Sequence, residues 1–152
     1  MFPPKISAPG RPVPPLARAA IYGLLGCSME LLFTAVTTFI GRGQSRPSTS
    51  PLMLPVYALA LPLFEPVHEH LRGRVSPPMR AAVYGAGFQV TEFVSGSILR
   101  RLLGVAPWDY RQARLNIDGL VRLDYLPLWA IVGLGAEEVH DRLMRRRPAQ
   151  AR

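Results

Sequence analysis

Two stretches almost free of charge limit what this chain can fold into. Residues 19–41 carry one charged side chain, Glu30, and residues 81–99 carry one, Glu92. Roughly 20 mostly apolar residues in a helix cross the hydrocarbon of a bilayer, about 30 Å thick, so both runs are long enough to span. Residues 47–64 and 125–136 are also uncharged, then run into acidic and histidine residues. They are read as a second and a fourth span. The expected fold is all-α: an integral membrane four-helix bundle.

The formal charge of +8 raises the question of nucleic acid, but the basic residues sit at the ends of apolar runs. No basic stripe interleaved with aromatics is present, so no nucleic acid partner is expected. Eleven of the 18 Lys and Arg residues fall in the two tails and the middle loop, and seven in the other two loops. That asymmetry predicts both termini in the cytoplasm of a cell or inner membrane, with membrane lipid around the spans. Cys27 is the single cysteine and excludes an intrachain disulfide. The proline-rich start lacks the pattern of a cleavable signal, so the first span is expected to direct insertion.

The chain also repeats itself. RAAIYG at residues 18–23 returns as RAAVYG at 80–85, an offset of 62 that carries Glu30 onto Glu92. LPVYAL at 54–59 returns as LPLWAI at 126–131, an offset of 72 that carries Glu65 and His68 onto Glu137 and His140. Seven of the eighteen positions in 54–71 are identical to their counterparts, which indicates two tandem helical-hairpin repeats. The expected organisation is a disordered proline-rich tail over 1–15, a first hairpin over 16–72, a second over 78–145 and a basic tail over 146–152. A short turn near Gly73 joins the hairpins, and a longer connection over 104–123 carries part of an interfacial belt of Trp108, Tyr110, Tyr125 and Trp129.

Six ionisable residues then fall within or close to the spans: Glu30, Glu65, His68, Glu92, Glu137 and His140. Each costs on the order of 3 kcal/mol at a helix centre and is functional by default. Small and polar neighbours, such as Gly23, Gly26 and Thr34 around Glu30, turn the carboxylates toward other helices. No Lys or Arg lies within the four apolar cores. The acids are therefore expected to be protonated, to pair with histidine or to hold a cation, all at one level. Glu69, His70, Glu138 and Asp141 are assigned to solvated inner ends.

Three functions fit. The six residues line a polar path in a small transporter or permease-like component, with the histidines relaying protons or gating the inner end. Alternatively they ligate Fe, Mn or Zn, since one Glu from each of two helices plus Glu-x-x-His from two others is the ligand inventory of di-metal carboxylate bundles; such a protein could be an oxidoreductase. A third reading is a structural or assembly role. With no P-loop, HExxH or GxSxG pattern, no residue is assigned a catalytic role.

PWDYRQARLNIDGLVRLDYLPLWAIVGL at 107–134, YGLLGCSMELLF at 22–33 and LPLFEPVHEHL at 61–71 resemble the ABC-transporter permease family of CmpB type, whose members include vertebrate transmembrane proteins. The resemblance covers nearly everything from residue 18 to 143. It implies a multi-pass membrane protein with a separate ATPase subunit and brings no established catalytic residues; because four short helices enclose little space, a homo-oligomer is also expected.

Overall fold

The computed structural model describes residues 11–41 and 49–144; residues 1–10 of the expected tail over 1–15, and all of the expected basic tail over 146–152, lie outside the described residues. The chain runs α1 (Pro15–Phe39), α2 (Met53–Ala58), α3 (Ala60–Leu71), α4 (Pro77–Leu103), β1 (Asn116–Ile117), β2 (Val121–Arg122), a 3-10 turn at Leu123–Tyr125, and α5 (Leu126–Leu143). Prolines open α1, α4 and α5, where a missing N–H costs nothing because first-turn donors have no helical acceptor. Gly104, left-handed at φ 75°, ends α4 and donates its N–H to the Arg100 carbonyl.

The expected second span is one helical path broken at Leu59. Pro62 accounts for the break: its ring crowds the carbonyl of Ala58 and offers it no N–H. Together α2 and α3 cover Met53–Leu71, about 28 Å of rise.

α1 packs along α2 and α3, and α4 packs along α5. Glycines let the backbones approach. A Cβ at Gly23 would lie 2.8 Å from the Leu54 carbonyl oxygen, and one at Gly85 would lie 3.0 Å from that of Leu126. These contacts occupy matching places in the two hairpins, as small residues do at close helix crossings.

Two expectations are corrected. The fold is mostly helical but not all-α, because the long connection folds into an antiparallel β-hairpin pairing Asn116 with Arg122 and Ile117 with Val121. Asp118 and Gly119, at φ 54° and 68°, supply the Asp-Gly turn that a tight hairpin demands. Leu120 and Val121 are buried beneath it, and Gly96 on α4 leaves room for Leu120 and Trp108. The Trp108 indole donates to the Leu120 carbonyl, and Gln89 on α4 donates to the Arg122 carbonyl. Trp108 and Tyr110 thus anchor a lid over one end of α4.

Second, among the described residues α1 alone is both long and apolar enough to pass as a membrane span. α4 has the length, at 27 residues, but Gln89, Glu92, Ser95, Ser97 and its glycines dilute the apolarity of its middle. α5 has 18 residues and ends in acidic and basic groups.

The outside of the molecule is nonetheless apolar. Among the described residues, twenty-nine large hydrophobic side chains are exposed and six are buried, whereas Glu65, His68, Arg80, Gln89, Ser95, Glu137, His140 and Asp141 are all buried. Water-soluble domains sort the other way.

Candidate functional site

At the end of the bundle where α1 and α4 begin, each hairpin builds the same ion pair. Arg18 on α1 grips Glu65 on α3 with two hydrogen bonds, Nε to Oε1 at 2.8 Å and Nη2 to Oε2 at 2.9 Å. Arg80 on α4 grips Glu137 on α5 likewise, at 2.6 and 3.0 Å. One turn along each first helix a tyrosine adds a third bond: Tyr22 donates to Glu65 at 2.9 Å and Tyr84 donates to Glu137 at 2.8 Å. The i, i+4 spacing of Arg and Tyr puts both on one helix face. Even the spare guanidinium nitrogens match, Arg18 donating to the Val13 carbonyl and Arg80 to that of Val75.

The histidines cross over. His140 of the second hairpin places Nδ1 3.3 Å from the Tyr22 hydroxyl and 3.4 Å from Glu65. His68 of the first hairpin places Nδ1 3.3 Å from the Tyr84 hydroxyl and 3.6 Å from Glu137. Both rings are wholly buried and lie edge to face, 4.7 Å apart. Each hairpin thus completes its neighbour's cluster. The far ring nitrogens face two more acids: His68 Nε2 is 3.1 Å from Asp141, and His140 Nε2 is 3.9 Å from Glu69. Arg72, which follows α3, bridges Glu137 and Asp141.

Four of the six residues singled out by sequence, Glu65, His68, Glu137 and His140, therefore meet. Glu30 and Glu92 do not join them. They lie twelve residues, about 18 Å, beyond Arg18 and Arg80. Glu30 accepts from Thr49 at 2.7 Å and Glu92 from Tyr110 at 3.3 Å. Between the levels, α2, α3, α4 and Trp129 of α5 line a half-open cavity of about 150 Å³, with Met53, Tyr57, Phe64, Tyr84 and Phe88 among its walls and Glu92 as its carboxylate.

The expectation that no basic residue neutralises these acids is corrected. Arg18, Arg72 and Arg80 flank the apolar runs in sequence, yet they reach Glu65 and Glu137. Asp141 is also not solvated; it is buried. Arg18, Tyr22, Arg80 and Tyr84 did carry a signal, because all four lie inside the repeated RAAIYG and RAAVYG motifs. With guanidinium on Glu65 and Glu137, and Glu30 and Glu92 a full level away, the geometry does not favour a di-metal centre built on the six residues. Among the described residues, His68, His140 and Asp141 bring potential metal-ligating atoms within 4.8 Å of one another.

Compared with known proteins, residues 19–150 match the family described as "Putative ABC-transporter type IV". No solved structure matches.

Proposed function

The chain belongs to that ABC-transporter type IV family, and from this premise we propose that it is a four-pass integral membrane subunit of a transport system. α1, the broken α2 and α3, α4 and α5 are the four spans, and both termini lie on the cytoplasmic side. The two hairpins are a duplicated unit sharing an approximate twofold axis along the membrane normal, an arrangement known among transporters. Glu30 and Glu92 line a polar interior, and the Arg–Glu–Tyr–His cluster closes its cytoplasmic end. With no P-loop of its own, the chain takes its energy from a separate ATPase subunit.

The observation that carries this reading is the inverted surface. Leu24, Leu32, Val90 and Ile131 are more than half exposed while Arg80, His68, Glu137 and His140 are buried. Hydrocarbon rewards that distribution and water penalises it.

Sidedness tests the topology. In a Cys27→Ser background, Gly73→Cys should react with an impermeant maleimide only after cells are opened, and Asp118→Cys should react in intact cells. Labelling of both from one side would overturn the four-pass arrangement. The transport role is tested separately: tag-purified complex from native membranes should carry vanadate-sensitive ATPase activity, absent from a mock purification. A complex with no such activity would remove the transport assignment and leave the topology standing.

A further inference from the structure

Hydrogen bookkeeping at the histidine crossover leads to a site of its own. A tyrosine hydroxyl has one hydrogen, and in Tyr84 it goes to Glu137, in Tyr22 to Glu65. Each phenolic oxygen can then only accept from the imidazole nitrogen 3.3 Å away. A histidine with a single ring hydrogen then carries it on Nδ1 and keeps a lone pair on Nε2. Those lone pairs face carboxylates: Asp141 at 3.1 Å from His68 and Glu69 at 3.9 Å from His140. Acceptor facing acceptor in a buried place is repulsive, and either a cation or a second ring proton between them relieves it.

We propose that His68 Nε2, His140 Nε2, Asp141 and Glu69 bind one divalent transition-metal ion of the zinc class on the axis between the hairpins.

Three observations carry it. The atoms of His68, His140 and Asp141 already lie within 4.8 Å of one another, so closing to ligand distances of about 2.0–2.2 Å asks each to move about an ångström. The Nδ1 side of each ring is held by a phenol and a carboxylate, which is how metal-binding histidines are oriented and made more basic. The charge is right as well: four acids, Glu65, Glu69, Glu137 and Asp141, surround three guanidiniums, Arg18, Arg72 and Arg80, leaving one negative charge uncompensated. Arg72 holds Asp141 through Oδ2 and so leaves Oδ1 to the metal. Glu69, 45% exposed, opens the site to the aqueous side and gives the ion a way in. Two imidazole nitrogens with two carboxylate oxygens suit Zn²⁺ in tetrahedral coordination. This site uses neither Glu30 nor Glu92 and does not depend on the transport assignment.

The test uses the full chain, without a histidine tag, in detergent and stripped with chelator. Titration with Zn²⁺, followed by calorimetry and elemental analysis, should show one ion per chain, and Co²⁺ should give the intense visible absorption of a tetrahedral site. Asp141→Asn and His140→Gln should weaken binding by at least about 100-fold. Tyr84→Phe, removing an outer partner, should weaken it by about 10-fold. Glu30→Gln and Glu92→Gln should leave it unchanged. Circular dichroism and elution volume identify variants that fold, and Tyr84→Phe supplies a mild change if the ligand variants do not. Wild-type chain that binds less than about 0.1 equivalent of Zn²⁺ at micromolar concentration overturns the proposal, as does unchanged affinity in a folded Asp141→Asn or His140→Gln variant; in that case two imidazoliums account for the crossover.

Discussion

Arg18 and Arg80 make the same bonds but have different insurance. Glu137 is held by both Arg80 and Arg72, whereas Arg18 is the guanidinium paired with Glu65. Removing one partner of a buried pair strands the other and costs about 3–5 kcal/mol. Arg18→Met should therefore lower stability by about that much, and Arg80→Met by distinctly less. Denaturation of both variants in detergent gives the comparison; equal losses would mean that Arg72 provides no backup. In the outer loop, Arg111 draws the Asp109 carboxyl down to about 2, and Arg122 lowers that of Asp124. An unfolded aspartate titrates near about 3.9, so the unfolded chain binds protons first on acidification. Both pairs are exposed and screened by solvent, so their contribution to the lid is small; it is present in full above about pH 4 and lost as pH falls toward 2. Trp108 emission should stay constant from pH 8 to 5 and shift below about 4.

Glycine decides how closely the helices pack. A Cβ at Gly133 on α5 would overlap Tyr84 on α4, while one at Gly87 or Gly135 would meet nothing. Gly133→Ala should cost about 1–3 kcal/mol through overpacking and displace the very tyrosine that serves Glu137 and His68. Gly135→Ala should add about 0.5–1 kcal/mol through helix propensity. Melting temperatures of the two variants should move in opposite directions. The helices themselves were largely readable beforehand, since uncharged runs and opening prolines mark them. The β-hairpin was readable too, because Asp118-Gly119 between Ile117 and Val121 is a local turn signal.

Taken whole, the molecule is wrapped in apolar side chains around a charged interior. Leu32, 66% exposed on α1, tests that inversion. If this face meets lipid, Leu32→Arg places a charge in hydrocarbon at a cost on the order of 3 kcal/mol, and the amount of membrane-inserted protein should fall sharply in carbonate-washed membranes. A face that meets water would tolerate the change, with insertion at wild-type level. The crossover of His68 and His140 explains why the hairpins stay together although few helix contacts join them: each needs a side chain from the other to complete its ion pair.

Sequence patterning was enough to identify a mostly helical fold and the Glu-x-x-His pairs, because these depend on local spacing along one chain. Which residues share a height did not follow from spacing, because height depends on how the second helix of each hairpin slides against the first. Counting from the ends of the apolar runs put Glu65 level with Glu30. Packing sets it level with Arg18 instead, since a buried carboxylate is far more stable beside a guanidinium than in an apolar interior. The exchange of histidines between hairpins likewise depends on contacts between residues 118 positions apart, which no local pattern encodes.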